Sequence, residues 1–267
     1  MPTDTLSLPL QQLRLSGLSR TLDVRLQEAA ANRLSHSDFL ELILQDELNV
    51  RKERLLARRT KAADFRQLRT LEDFDWQFNH TINRKPIYEL ATGAFIRQAK
   101  DVLFVGPPGV GKTHLAQAIA YEALKMNFSV LYRSIFDLVR DFLRDDAFNQ
   151  QDRTLRRYLK SDLLLIDDMG MRTLPKNSGE YLLEIIMRRH ENRSTIMTSK
   201  RPLEEWGKLF GDVPAASAVL DRFLSRAIVI SITGRSYRLK DQAALAPDKP
   251  TKAPKAVPLP STVGAAS

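Results

Sequence analysis

An apolar run, Val102-Leu103-Phe104-Val105, feeds directly into Gly106-Pro107-Pro108-Gly109-Val110-Gly111-Lys112-Thr113, and this junction constrains the chain more than any other feature. Every position fits a phosphate-binding loop set between a buried strand and a helix. Glycines keep such a loop free of Cβ atoms. Successive backbone N–H groups and the positive end of the following helix, expected from Thr113 to about Met126, then converge on an anion. Lys112 is expected to reach β- and γ-phosphate oxygens, and the Thr113 hydroxyl to enter the coordination shell of Mg2+. The implied ligand is a nucleoside triphosphate. The alternative is a Gly-rich loop that only turns the chain, and the preceding strand and the Lys-Thr pair weigh against it.

From Asp101 onward, apolar strands alternate with amphipathic stretches: Val102–Val105, Val130–Tyr132, Leu163–Ile166, Ile196–Thr198 and Ile228–Ile230. That alternation predicts an α/β fold, a parallel sheet covered on both faces by helices. Leu163-Leu164-Leu165-Ile166-Asp167-Asp168 ends a strand in two carboxylates, as a phosphate-loop protein requires. Asp167 is the expected Mg2+ ligand and Asp168 the expected general base toward water, with a helix-capping pair as the bland alternative. Thr198 or Ser199, at the end of the next core strand, offers a hydroxyl for the γ-phosphate or the water, although such hydroxyls also serve as ordinary caps. Arg222 and Arg226, on a late helix, are candidates for donation to a neighbouring subunit's γ-phosphate, or for surface ion pairs.

The 267 residues, 43% of them hydrophobic, suffice for one full α/β core and a smaller appendage. Four organisational units are expected: a basic helical domain over 1–69, a mixed and aromatic connector over 70–100, the nucleotide domain over 101–240, and an Ala/Pro/Lys-rich disordered tail over 241–267. In the first, Leu18, Leu22 and Leu26 lie at helical spacing. Ser35 with Asp38 resembles a capping box ahead of Phe39, Leu40, Ile43, Leu44 and Leu48 on one face. Between Arg51 and Arg69, eight Lys/Arg face two acids, so +6 of the chain's net +9 falls within nineteen residues. Arg51, Arg54, Arg58 and Lys61 form one stripe of a helix, suited to a phosphate backbone or else a solvated face. No cysteine is present, and His36, His80, His114 and His190 are too scattered to suggest a zinc site, which makes each a structural or exposed residue. No apolar run is long enough for a membrane span, and the N-terminus lacks the basic start and apolar middle of a signal peptide, so a cytoplasmic protein with no membrane partner is expected.

Together these residues resemble the AAA+ ATPases of the DnaC/IstB branch, and most closely the IstB-like helpers encoded beside the transposase of certain insertion sequences. The resemblance runs from about Leu8 to Lys240. It is carried by Thr70-Leu71-Glu72-Asp73-Phe74-Asp75, the phosphate loop with His114-Leu115-Ala116, Leu165-Ile166-Asp167-Asp168 and Met197-Thr198-Ser199. Glu205-Trp206-Gly207, Phe210-Gly211-Asp212, Leu220-Asp221-Arg222 and Gly234-Arg235-Ser236-Tyr237-Arg238 continue it. The resemblance implies an AAA+ core with sheet order 5-1-4-3-2 and no C-terminal helical lid. It implies ATP held between subunits of a homo-oligomer by Gly106 to His114, Ser199 and Arg238, and Arg222 as the finger. It also implies a helical domain that grips double-stranded DNA and a partner transposase. Two positions depart from the pattern: Lys200, where relatives commonly carry Asn, and Asp168, where many carry Glu. Both bear on the hydrolysis rate, which is expected to be slow. The competing expectations are a helicase loader preferring single strands, disfavoured by Phe65 being the only aromatic in the basic stretch, and an architectural DNA binder that does not hydrolyse ATP.

Overall fold

A computed structural model describes residues 4–146, 151–170, 174–175, 178–210 and 213–240. Three helices open the chain: α1 (Asp4–Gln12), α2 (Ser16–Asn32) and α3 (His36–Ala63). The start of α3 is fixed by the expected capping box, in which the Asp38 amide donates to Ser35 Oγ at 3.2 Å and the Ser35 amide donates to the Asp38 carboxylate at 3.3 Å. Its end comes at Asp64, in the left-handed region with φ 61°. Helices α2 and α3 pack through Leu18, Leu22 and Ile43. Gly17 permits the close approach, since a Cβ there would lie 2.9 Å from the Glu47 Cα. The buried Glu47 carboxylate accepts from the amides of Gly17 at 2.7 Å and Leu18 at 3.1 Å, donors that the first turn of α2 leaves without helical partners.

One expectation is corrected here. Leu40, Leu44 and Leu48 do not share a buried face with Ile43; they are 55%, 49% and 50% exposed. The apolar positions of α3 span a wide arc, and α2 covers only the side that carries Ile43.

Two short helices, α4 (Arg84–Ala91) and α5 (Ala94–Arg97), lead into the sheet. The elements that follow are β1 (Asp101–Val105), α6 (Lys112–Lys125), β2 (Val130–Ser134), α7 (Ile135–Asp146), α8 (Gln151–Lys160), β3 (Leu163–Met169), α9 (Ser178–Arg189), β4 (Ser194–Ser199), α10 (Trp206–Phe210), α11 (Val213–Leu224) and β5 (Ala227–Ser231). All strand pairs are parallel and the order is β2-β3-β4-β1-β5, the expected 5-1-4-3-2 read from the other edge. Alternation along the strands fills two cores. Val102, Phe104, Leu163 and Leu165 meet α4 and α6 through Ile87, Leu90, Leu115 and Ile119. Leu103, Leu164, Ile166 and Met197 meet α7, α9 and α11 through Leu138, Ile185 and Val219. This sandwich aims the C-terminal ends of β1, β3 and β4 at one edge, where open α/β sheets place their ligands.

After β5, the described chain adds only a single 3-10 turn at Tyr237–Leu239, so no helical lid follows among the described residues. The expected tail over 241–267, and Gly211 and Asp212 of the Phe210-Gly211-Asp212 motif, lie outside the described residues. Among the described residues no helix is long and apolar enough to cross a membrane.

Candidate active site

The phosphate loop leaves β1 at Val105 and enters α6 at Lys112. At Gly109, φ is +81° and a Cβ would lie 2.0 Å from Ser236 Oγ, so only glycine lets the C-terminal segment close onto the loop. Lys112 Nζ donates to the carbonyls of Gly106 and Pro107, both at 2.7 Å. Burial first, and then the neighbouring Lys200, lower its proton affinity to about 8. Gly109, Val110, Gly111, Lys112, Thr113 and His114 line a cleft of about 430 Å³. Gly106 and Pro107 contribute the carbonyls that hold Lys112, while Pro108 is exposed at the turn.

Both expected carboxylates reach this cleft, by a route that strand alternation alone does not give. Consecutive strand residues face opposite sides. The register between β3 and β4 shifts between Ile166 and Met169, and Asp168 takes φ 64°, a left-handed conformation that Asp tolerates better than most residues. The bulge brings Asp168 round to the same cleft as Asp167. Asp167 is held on three sides: its Oδ1 accepts from Thr113 Oγ1 at 2.9 Å and from Thr198 Oγ1, and its Oδ2 accepts from Tyr132 Oη at 3.0 Å. Burial, followed by the charge of Asp167, pushes the Tyr132 phenol well above its ordinary value, so it stays a donor. Asp168 Oδ1 pairs with Lys200 Nζ at 2.9 Å, and Oδ2 with Arg66 at 3.5 Å.

The opposite wall joins distant parts of the sequence. Phe74 and Phe78 from the connector and Tyr237 and Arg238 from beyond β5 line the cleft, with Phe78 edge-on to Tyr237 at 5.0 Å. Asn79 Nδ2 donates to the Thr233 carbonyl at 2.7 Å, and the Tyr237 amide to the Gly109 carbonyl at 2.9 Å. His114 Nε2 lies 2.8 Å from the Thr70 carbonyl, which only accepts, so Nε2 carries the proton. Burial lowers the affinity of this ring for a second proton. His114 thus lines the cleft as a neutral peg for the connector. Residues without a sequence motif also line the cleft: Arg66, Arg69, Tyr132 and Gln117, whose Oε1 is buried with no hydrogen-bond partner among the described residues.

Residues 9–244 match the family model of the IstB-like ATP binding proteins. The chain belongs to this family. It is 35% identical over 233 residues to an insertion sequence IS21 ATP-binding protein of Pseudomonas aeruginosa, covering 87% of this chain and 88% of that one. It is 34% identical to an insertion sequence IS5376 ATP-binding protein of Geobacillus stearothermophilus, covering 86% and 92%. Among solved structures, the AMPPCP-bound DnaA from Aquifex aeolicus superposes with a TM-score of 0.53 at 25% identity, over 68% of this chain and 56% of that one. A replication initiator DnaA bound to AMPPCP and single-stranded DNA gives 0.52 at 24%, over 66% and 54%. The chain spans little more than half of those initiators, and the likeness is one of fold, the AAA+ P-loop core.

For an IstB-like chain, the cleft fits a nucleotide and its metal. Lys112, Thr113 and Asp167 line one cleft, the Thr113 and Asp167 oxygens stand 2.9 Å apart, and Gln117 Oε1 is buried without a hydrogen-bond partner among the described residues. Ser199 is not among the residues lining the cleft. It is fully buried, with Oγ donating to the Arg201 carbonyl at 2.7 Å and accepting from Trp206 Nε1 at 3.3 Å. Alternation along β4 sends Ser199 toward Trp206 and Thr198 toward Asp167, to which its Oγ1 donates. Arg222 is exposed on α11 and is not among the residues lining the cleft.

The basic stripe divides. Arg51 pairs with Glu47 at 2.7 Å, and Arg54 donates to Ser16 Oγ at 2.5 Å, so both exposed arginines also tie α3 to the start of α2. Arg58 and Lys61 are exposed. Arg66 and Arg69, counted with the stripe by composition, lie beyond the end of α3 and line the nucleotide cleft.

Proposed function

We propose that this IstB-like protein is an ATP-driven switch that assembles with ATP on double-stranded target DNA and presents that DNA to a partner transposase, with slow hydrolysis resetting the assembly. The observation that carries this reading is the meeting of two anion-seeking surfaces. The basic helix α3 ends at Ala63, and within six residues the same segment supplies Arg66 and Arg69 to the cleft of the phosphate loop. A partner bound along α3 and a nucleotide in the cleft therefore act on one stretch of backbone. The insertion-sequence context of the relatives supports the transposase as partner.

The chemistry assigned to the site is ATP hydrolysis. Lys112 exchanges its two loop carbonyls for β- and γ-phosphate oxygens, and the loop amides at the head of α6 receive the remaining negative charge. Thr113 and Asp167 would hold Mg2+, which when bound neutralises phosphate charge. Tyr132 and Thr198 fix the Asp167 carboxylate, so it is oriented before ligand arrives. Asp168 accepts the proton of the attacking water, and Thr198, donating to Asp167, marks where the phosphate end of the cleft lies. Arg238 approaches from the segment after β5. Arg222, pointing outward, serves a neighbouring subunit's γ-phosphate, which ties turnover to assembly. Differential affinity of ATP and ADP for the assembled state then drives the cycle.

Binding of the purified protein to duplex and single-stranded DNA of equal length, each with ATP·Mg2+ and with ADP·Mg2+ at fixed salt, tests the reading. Cooperative, ATP-dependent binding to duplex is expected. A preference for single strands would point to helicase loading instead, and binding indifferent to nucleotide to an architectural role.

A further inference from the structure

We propose that Lys200 is a γ-phosphate ligand supplied by the same subunit that binds the nucleotide, so that one subunit tells ATP from ADP without a neighbour, and that Ser199 and Trp206 are the residues that position it. This rests on the reading of the cleft as an ATP site and does not require Asp168 to be the base.

Lys200 is the first residue beyond β4, and its backbone is fixed from several directions. The Ser199 carbonyl accepts from the amide of Gly106, the first residue of the phosphate loop, at 3.3 Å, and the Lys200 amide donates to the Met169 carbonyl at 3.1 Å. On the far side, the Arg201 amide donates to Ser199 Oγ at 3.2 Å. That oxygen also accepts the indole N–H of Trp206 at 3.3 Å while donating to the Arg201 carbonyl at 2.7 Å. Arg201 closes the turn, with Nε donating to the Gly170 carbonyl at 2.8 Å and Nη1 pairing with Glu205 at 3.1 Å. The Glu205-Trp206 pair of the sequence motif thus clamps a turn, and of Ser199, Lys200 and Arg201 only Lys200 lines the cleft.

Lys112 Nζ rests on the carbonyl of Gly106, the same residue whose amide holds Ser199, so the two lysines border the loop at one point. Their proximity is felt at Lys112, whose proton affinity Lys200 lowers after burial has done so. An ammonium has three N–H donors. One of those on Lys200 goes to Asp168 Oδ1 at 2.9 Å, and among the described residues no other acceptor takes the remaining two. At 16% exposure this charge is largely shielded from water, where an anionic oxygen compensates it strongly. The pairing with Asp168 sets Lys200 at the end of the cleft where water meets the terminal phosphate, the group that ADP lacks. Arg222 of a neighbour adds its charge only on assembly, whereas Lys200 is in place beforehand.

The test is calorimetric binding of AMPPCP·Mg2+ and of ADP·Mg2+ to the full-length protein at pH 7 without DNA, for wild type, K200M, K200R, S199A, R222A and K112A. K200M is expected to weaken AMPPCP about tenfold, the scale of one hydrogen bond to a charged group, and to leave ADP within about twofold. K200R keeps most of the AMPPCP affinity, and R222A keeps the wild-type ratio of the two affinities. S199A, which loosens the turn, weakens AMPPCP about threefold with ADP again unmoved. If K112A weakens AMPPCP but K200M keeps the wild-type ratio, Lys200 is not a γ-phosphate ligand and the ATP site stands. A ratio that collapses in R222A would assign the discrimination to the neighbour, and equal losses for both nucleotides in S199A would reduce Ser199 to a structural role. If K112A binds AMPPCP like wild type, the ATP-site reading itself fails and the proposal falls with it.

Discussion

The ammonium of Lys112 rests on two carbonyls of its own loop, with Lys200 nearby and an ordinary lysine's water shell stripped away, and its pKa is lowered to about 8. Polyphosphate restores charge compensation and raises that value again. Below about pH 8 the lysine is charged with or without ligand, and affinity does not change on its account. Above it, binding must take up a proton, so ATP affinity falls with rising pH, by up to about tenfold per unit until the ordinary lysine value is reached. ATP affinity titrated from pH 7 to 10 shows this break, and Lys112→Ala lowers affinity and removes it; a wild-type profile flat across pH 8 would exclude the assignment. At this scale the motif residues were legible because loop chemistry fixes their order. Tyr132, Arg66 and Gln117 were not, since each reaches the cleft from an element whose local sequence serves packing or cap geometry. Which of Thr198 and Ser199 faces Asp167 was not legible either, because one step along a strand reverses a side chain's face.

Among the elements, the α2–α3 hairpin is held by a buried charge beneath a thin apolar seam. Burial alone would push the Glu47 carboxyl up, but donation from Arg51, Leu18 and Gly17 outweighs it and leaves the pKa below its ordinary 4.5. Lowered in the folded state, the carboxylate stabilises the hairpin fully above that ordinary value, and the contribution is lost as pH falls through the lowered one. Glu47→Ala strands two helix-end amides and Arg51, at a cost of about 2 kcal/mol. Hydrogen exchange of the α2 amides should speed accordingly while the sheet amides hold; unchanged protection of α2 would remove Glu47 from this role. The strands and the α3 cap were plain in the sequence, as period-two burial and capping chemistry are local signals. Which leucines of α3 meet α2 was not, because apolar periodicity gives a face its width but not its partner.

Across the whole molecule the positive charge is divided between bracing and reaching outward, a division invisible to a charge count. Neutralising Arg58 and Lys61 should flatten the dependence of duplex affinity on salt by about 0.9 for each phosphate no longer neutralised, about 2 in log–log slope for the pair. Neutralising Arg51 and Arg54 should instead loosen the helical unit, as hydrogen exchange would register. An unchanged slope in the first variant would return the stripe to a solvated face. The closing of the cleft has a consequence of another kind. Its loop is encoded near the middle of the chain, yet its far wall includes Tyr237 and Arg238, in a segment tied back from Thr233 to Asn79 across 154 residues of sequence. During synthesis the phosphate loop leaves the ribosome long before that wall exists, so a nascent chain can build four strands of its sheet and still hold nucleotide poorly. Competence arrives late and all at once, with the last strand and the few residues behind it, and a product released before that point would be folded in part but idle.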